Sequence, residues 1–229
     1  MSQKKAHDLI ADVIKEKSCL KQDVFQNMKA VFDLFKEELK KTIEELEKKF
    51  EKIDDRISFY YKEKNEFEVE IKIAGDVLVF SMHTNVFKFD LTNSIWKTSY
   101  LKKDEHNGYV GSISIYNFLA DSIKYNRIRD IGYLIARVFV NRENKFIVQG
   151  KRQLGLSFSD FEKSILEKDI ICDIIDSIVL YTLSFDLYTP PYQRVQEVTV
   201  GEYNVKSQDI GVTTGKRLGF KFSAEIAEK

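Results

Sequence analysis

The N-terminal block restricts the fold most strongly, because residues 5–57 contain neither glycine nor proline and carry a regular series of apolar side chains. Successive apolar positions are three or four residues apart, which is the spacing of one face of an α-helix. Glutamate and lysine fill the polar positions at distances that support a helix, as in KEELKKTIEELEKKFEK. The block therefore predicts one long amphipathic helix. Its apolar seam is formed by Met28, Phe32, Phe35, Leu39, Ile43, Leu46, Phe50, Ile53 and Ile57.

A seam of this length has to be covered by other apolar groups. A coiled coil with a second helix would do this, and so would packing against a domain formed by the rest of the chain. Phenylalanine is less typical of a two-stranded coiled coil, which favours leucine with isoleucine or valine, so both arrangements stay open. Our leading prediction is self-association or partner binding through this helix. The predicted interface consists of Phe32, Phe35, Leu39, Ile43, Leu46, Phe50 and Ile53.

After Ile57 the pattern becomes strand-like. FEVEIKIAG alternates apolar and polar residues, and Gly75-Asp76 indicates a turn before VLVFSMHTNVFKFD. SIWKTSYL and YVGSISIYNF are further predicted strands on either side of the polar loop KKDEHNG. IGYLIARVFV and KFIVQG, joined by NREN, predict a hairpin. These runs of strands predict a largely antiparallel sheet.

Helices are predicted around the sheet. NFLADSIKYNR reads as a short helix, and Ser159 with Glu162 forms a capping-box pattern that would start a second helix ending before Pro190. VTV and LGFKF predict short strands near the C-terminus. The sequence as a whole predicts an α+β fold with a long N-terminal helix at 1–57, an α+β domain at 58–191 and a C-terminal tail at 192–229.

The composition restricts the function classes. Lysine plus arginine and aspartate plus glutamate each number 36, so the formal net charge is zero. Nucleic-acid binding by bulk electrostatics requires a basic surplus, so we do not expect that partner. Arg137 interrupts even the apolar run IGYLIARVFV, and no signal peptide is recognisable. The distant Cys19 and Cys172 are expected to be reduced and partly buried. These features predict a soluble, cytoplasmic protein with no membrane partner.

Two similar basic stretches, GKRQLGLSF at 150–158 and GKRLGFKF at 215–222, raise the possibility of anion binding. Glycine beside lysine and arginine near a helix start offers backbone N–H groups and positive charge. The second stretch is not a P-loop, because GVTTGKR is one residue short and Arg217 occupies the position of the magnesium-binding hydroxyl. The alternative, which we prefer, is that each stretch is a turn leading into an apolar strand or helix, with its lysine and arginine solvated. Lys151 and Arg152 are the predicted anion contacts if one exists.

Arg137 is the third anion-binding candidate, since it lies in an otherwise apolar predicted strand. Alternation places it on the same face as Tyr133, Ile135 and Phe139. An arginine there needs a carboxylate or a bound anion as its partner. A structural ion pair, or exposure to water at the end of the strand, is the alternative.

Catalytic patterns are sparse. Glu70-x-Lys72, preceded by Asp54 and Asp55, resembles the arrangement of restriction-endonuclease-type nucleases, although it is also how the solvent face of a strand looks. The three histidines have no partner at metal-ligand spacing. We predict no cofactor and no metal site, and we lean away from an enzyme.

The aromatic residues leave a further possibility open. Phe87, Phe89, Trp96 and Tyr100 are spaced as core residues of strands, but they would also suit the wall of a ligand pocket. The leading prediction is a non-enzymatic interaction protein. The alternative is a ligand-sensing module that holds a small anion through Arg137, Lys151 and Arg152, and a metal-dependent nuclease is a distant third.

Overall fold

A computed structural model describes residues 3–128, 130–150, 158–189, 191–201 and 203. The N-terminal block is helical, as predicted: α1 (Gln3–Val13), a π-helical turn (Ile14–Ser18) and α2 (Cys19–Phe50) follow one another directly. The helix ends at Phe50 and not at Ile57. Beyond it the Asp54 carboxylate accepts a hydrogen bond from the backbone N–H of Arg56 at 3.0 Å, which closes a turn that competes with the helix.

Seven strands form one sheet, in which every neighbouring pair is antiparallel. The order across the sheet is β1-β2-β3-β5-β6-β7, and the short β4 pairs with one end of β5. The predicted α+β fold with a largely antiparallel sheet is therefore confirmed. The strands are β1 (Phe59–Asn65), β2 (Glu68–Ile73), β3 (Asp76–Met82), β4 (Phe87–Lys88), β5 (Tyr109–Leu119), β6 (Tyr133–Val140) and β7 (Phe146–Gly150).

Shorter helices flank the sheet. Two 3₁₀ turns lie at Ser94–Lys97 and Glu105–Gly108. The remaining helices are α3 (Ser99–Lys103), α4 (Ala120–Lys124), α5 (Lys168–Leu183) and α6 (Tyr192–Val195). The predicted short helix within NFLADSIKYNR corresponds to α4, and the predicted hairpin around NREN corresponds to β6 and β7. Neither α2 nor any other helix in the described part of the chain is both long and apolar enough to cross a membrane.

Helices α2 and α5 cover one face of the sheet, which we call the helix face. The seam residues Phe32, Phe35, Leu39 and Ile43 are each at most 2% exposed and belong to the main core. The Phe35 ring, for example, lies 6.4 Å from that of Phe80 in β3. The chain's own sheet and α5 therefore cover most of the seam, which is the second of the two arrangements considered above.

The opposite face, which we call the groove face, carries a second and smaller core. Ile95, Leu101, Val110 and Phe161 are buried there. The Phe89 ring packs edge-on against Phe161 at 5.7 Å between ring centres. The segment between β4 and β5 thus packs over this part of the sheet.

Three local predictions were wrong. The predicted strand VTV is one, since residues 198–200 form no strand, and the other two failed because side-chain caps were overlooked. SIWKTSYL is helical instead of extended: the Asn93 side chain accepts a hydrogen bond from the N–H of Ile95, and Thr98 accepts one from Leu101. Ser159 and Glu162 do not start a helix either, since α5 begins at Lys168. The Asp160 carboxylate accepts hydrogen bonds from the backbone of Glu162 and Lys163, which makes a turn there.

Candidate functional site: a groove on the sheet

A groove of about 580 Å³ lies on the groove face, between the sheet and the segment that contains β4. This volume is within the range of small-molecule sites. Its floor is formed by β5, β6 and β7, whose paired residues point to the same face. The lining residues are His83, Phe87, Lys88, Phe89, Asp90, Asn93, Val110, Ser112, Ser114, Arg137, Phe139, Ile147, Val148, Gln149 and Gly150.

One half of the groove is apolar. Phe89 and Phe139 meet edge to face with ring centres 5.5 Å apart, and Val110 is buried beside them. Phe87 from β4 is 39% exposed and packs on the ring of His83, 4.7 Å away. This half offers aromatic surface to an apolar group, and part of that surface is in contact with water.

The other half is polar and is built by the register of the strands. Ser114 on β5 pairs with Arg137 on β6, which pairs with Gln149 on β7. Ser112 pairs with Phe139 one step along the same face, and it is only 5% exposed. Two hydroxyl groups, an amide and a guanidinium therefore line the floor side by side.

Arg137 is held in place without a carboxylate. Its Nε donates a hydrogen bond to Gln149 Oε1 at 2.9 Å, and its Nη2 donates to the same oxygen. Its Cζ lies 5.2 Å from the centre of the Phe139 ring, a cation–π contact. No ion pair of Arg137 occurs within the described ranges. The guanidinium is thus oriented by neutral groups, and Arg137 lines the groove.

Phe139 lies on the same face of β6 as Arg137, as predicted. Ile135 was predicted on that face too, and this prediction is wrong. Ile135 is buried in the main core together with Ala136. The cause is a register shift between Ile115 and Tyr116, which leaves an extra residue in β6 and breaks the alternation there.

The charges at the rim of the groove are engaged by neighbours. Lys88 Nζ lies 3.0 Å from Glu105 Oε2 and 5.1 Å from the centre of the Trp96 ring. Hydrogen bonds from the Thr92 hydroxyl and backbone N–H hold the pKa of Asp90 below its usual value. Of the two groove cations, Lys88 has a carboxylate partner, whereas the contacts of Arg137 with described residues are to the neutral Gln149 and Phe139.

No known protein family, curated protein or solved structure matches this chain.

The other two anion candidates, Lys151 and Arg152, lie outside the described residues. They directly follow Gly150, which lines the groove. Their contact with an anion stays a prediction. The second basic stretch, at 215–222, also lies outside the described residues.

The nuclease-like residues have other partners. The buried Glu70 carboxylate accepts a hydrogen bond from Tyr60 and lies 2.8 Å from Lys64 Nζ. Lys72 donates to the hydroxyl of Ser58 at 2.5 Å. Among the described residues, no group of three histidine, cysteine, aspartate or glutamate side chains is placed to hold a metal ion. Glu70 and Lys72 therefore make hydrogen bonds and an ion pair with neighbouring polar side chains.

The predicted helix interface divides into two parts. Phe32, Phe35, Leu39 and Ile43 lie in the main core, with Leu46 partly buried against it. Phe50 is half-buried and contacts Phe59 at 5.4 Å between ring centres, whereas Ile53 is 69% exposed beyond the end of α2. The first four side chains would have to leave the sheet before another chain could bind them, and self-association through this helix stays a prediction.

Sequence reasoning missed Ser112, Ser114 and Gln149 as groove residues. Alternation along each strand was the available signal, since all three occupy the face opposite the core residues. The pairing of β5 with β6 and of β6 with β7 brings them to Arg137, and that pairing is not readable from one strand at a time.

Proposed function

We propose that the protein is a ligand-binding module whose groove holds a small organic anion with an apolar, preferably aromatic, body. The observation that carries the proposal is Arg137, a guanidinium fixed by Gln149 and Phe139 and lacking an ion pair in the described part of the chain. An oriented guanidinium that is not neutralised by the protein is the group expected to meet a carboxylate.

The two halves of the groove support the same ligand class. A carboxylate at Arg137 could also accept hydrogen bonds from Ser112 and Ser114, because both hydroxyls line the groove. The body of the ligand would then extend over Phe87 and Phe89, where it removes apolar surface from water. A ligand without charge would lose the charge-assisted contact with Arg137. A simple inorganic anion would lose the contacts of an apolar body with Phe87 and Phe89.

Binding of carboxylates and of their neutral amides to purified full-length protein tests the proposal. Phenylacetate and octanoate serve as the anionic probes, with phenylacetamide and octanamide as neutral controls. Titration calorimetry and thermal unfolding report binding. The carboxylates should bind and stabilise the protein, and the amides should bind roughly tenfold more weakly, because a charge-assisted hydrogen bond contributes about 1.5–3 kcal/mol.

Two arginine variants make the test specific. Arg137→Gln should abolish the preference for the carboxylate while leaving the unfolding temperature of the free protein nearly unchanged. Arg56→Gln is the matched control. The Arg56 side chain is 86% exposed and pairs with Asp54, and Arg56 is not one of the groove-lining residues. Equal affinities for acid and amide, or a preference that survives Arg137→Gln, would show that the groove does not select anions.

A further inference from the structure

The first part of the N-terminal helix projects from the domain. Of the residues from Lys5 to Cys19, Ala6 is half-buried and the others are exposed, and Leu20 is the first to enter the core. A polar contact links this extension to the domain, since His106 Nε2 lies 3.2 Å from Glu16 Oε1. Yet Leu9, Ile10, Val13 and Ile14 are between 51% and 55% exposed. With Ala6 they form a stripe at helical spacing, which we call the N-terminal stripe.

The π-helical turn explains why the chain's own sheet does not cover the N-terminal stripe. Val13 and Leu20 are seven residues apart and would share one face of an uninterrupted α-helix. The extra residue in the turn Ile14–Ser18 rotates the preceding helix by about 100°. The N-terminal stripe is thereby turned away from the line of Leu20, Val24 and Met28, which faces the sheet.

We propose that the N-terminal stripe binds the same stripe of a second copy of this chain, with the two helices antiparallel. The order of its residues supports this partner, because it is nearly unchanged on reversal. A twofold axis between Ala11 and Asp12 places Leu9 at the level of the partner copy's Ile14 and Ile10 at the level of its Val13. Each large aliphatic residue therefore meets another one, as a twofold interface requires.

The charges also suit a second copy. Residues 5–18 contain three lysines and three acidic residues, so two such segments do not repel each other by net charge. In the antiparallel pair the turn with Asp8 lies at the level of the turn with Lys15 of the other copy. The helix dipoles oppose one another as well, whereas a parallel pair would align like ends.

The extension is short, so the dimer should be weak. Four aliphatic side chains per copy give an interface below the roughly 1,200 Å² of total buried area that is usual for stable complexes. We therefore expect dissociation in the micromolar to millimolar range and a monomer–dimer equilibrium that depends on concentration. Sedimentation equilibrium of the full chain from about 1 μM to about 1 mM covers that range.

A matched pair of variants tests the surface. Ile10→Lys combined with Val13→Lys places like charges opposite each other in the antiparallel pair and should give a monomer throughout. Ala11→Lys combined with Ser18→Lys adds the same charge at exposed positions outside the N-terminal stripe and should still dimerise. Neither pair touches the core, so both should unfold like the wild type. A monomeric wild type, or a dimer that survives the first pair, would overturn the proposal.

Disulfide trapping tests the direction of the helices. In a background of Cys19→Ser and Cys172→Ser, the single variants Ile10→Cys and Val13→Cys should form a mixed disulfide when oxidised together. Each alone should form little covalent dimer. Crosslinking within each variant, and none between the two, would show a parallel pair and contradict the antiparallel arrangement.

Discussion

Met28 of α2 lies directly over Gly111 of β5. A Cβ atom added at Gly111 would be 2.7 Å from both the Cβ and Sδ atoms of Met28, and still closer to its Cγ. Glycine at this position therefore sets how closely α2 approaches the sheet.

Gly111→Ala should destabilise the protein by about 1–3 kcal/mol, because overpacking forces the helix or the methionine to move. Adding Met28→Ala removes the Cγ and Sδ atoms and so should relieve most of the clash, and the double variant should lose less than the sum of the two single changes. Urea denaturation measures all three. Gly75→Ala is the control, since no atom lies within 4 Å of a Cβ at that position. Additive losses at Gly111 and Met28 would contradict a direct steric contact.

Two buried asparagines should respond in opposite ways to the same substitution. Asn117 is 1% exposed, and neither atom of its amide has a hydrogen-bond partner among the described residues. Asn141 is fully buried, and its Nδ2 donates to Tyr100 Oη at 2.9 Å while its Oδ1 accepts from the N–H of Glu143, also at 2.9 Å. An unpaired buried amide costs stability, whereas a paired one supports its neighbours.

Asn117→Leu should therefore leave the free energy of unfolding unchanged or raise it. Asn141→Leu should lower it by roughly 2 kcal/mol or more, because it leaves the donors of the β6–β7 turn without an acceptor. Chemical denaturation of both variants gives the comparison. Comparable losses at the two positions would indicate that Asn117 has a buried partner such as a water molecule.

The α+β fold was predictable from local periodicity. The prediction failed locally where a polar side chain formed hydrogen bonds with the backbone and so set a different structure. The N-terminal helix up to Phe50 and the pair β6–β7 followed from spacing alone. SIWKTSYL failed because Asn93 and Thr98 cap short helices, which apolar spacing does not record. Asp160 likewise formed a turn where Ser159 suggested a helix start. In each case a single short polar side chain decided the structure.

The candidate sites depended on information that spacing does not contain. Arg137 was identified from the cost of an arginine in an apolar strand, but Ser114 and Gln149 joined it only through strand register. The heptad-like pattern of α2 could not say whether a sheet or another helix covers it. Leu9 and Ile10 carry the same helical signal as the seam. Their exposure follows from the π-helical turn, whose rotation is absent from a residue-by-residue pattern.

Glu38 should make stability depend on pH. It is 6% exposed, lies 2.8 Å from Lys41 Nζ on the same helix, and joins α2 to α5 through Lys168 Nζ at 3.1 Å. The hydrogen bond from Lys41, followed by those from Lys168 and Cys172, lowers its pKa in the folded state from the ordinary value of 4.5. The folded state therefore binds fewer protons than the unfolded state, so this stabilisation is complete above the ordinary pKa and is lost as the pH falls through the folded-state pKa.

Glu38→Gln should lower the free energy of unfolding by roughly 1 kcal/mol at about pH 7, a modest loss because both lysines are more than half exposed. The difference between the variant and the wild type should shrink at about pH 3.5, where the carboxylate is increasingly protonated. Denaturation curves at the two pH values measure it. Glu37→Gln, on the exposed neighbour, is the control. A difference that stays constant or grows on acidification would contradict the assignment.

The two free cysteines should react with thiol reagents at different rates. Cys19 is exposed, contrary to its predicted partial burial, whereas Cys172 is half-buried. Burial, and then the hydrogen bond that the Cys172 Sγ donates to Glu38 Oε2 at 3.5 Å, raise the pKa of the Cys172 thiol. With its pKa raised, Cys172 carries less thiolate near neutral pH than an exposed thiol with an ordinary pKa. Because the thiolate is the reactive form, Cys172 should react more slowly.

Alkylation by iodoacetamide, followed by intact-mass spectrometry, should modify Cys172→Ser, which keeps Cys19, faster than Cys19→Ser, which keeps Cys172. Adding Glu38→Gln to Cys19→Ser should accelerate the alkylation of Cys172, because the carboxylate that disfavours its thiolate is gone. Adding Glu38→Gln to Cys172→Ser should leave the alkylation of Cys19 unchanged. If the rate at Cys172 does not respond to Glu38, burial alone controls the thiol, and the contact between α2 and α5 does not influence its ionisation.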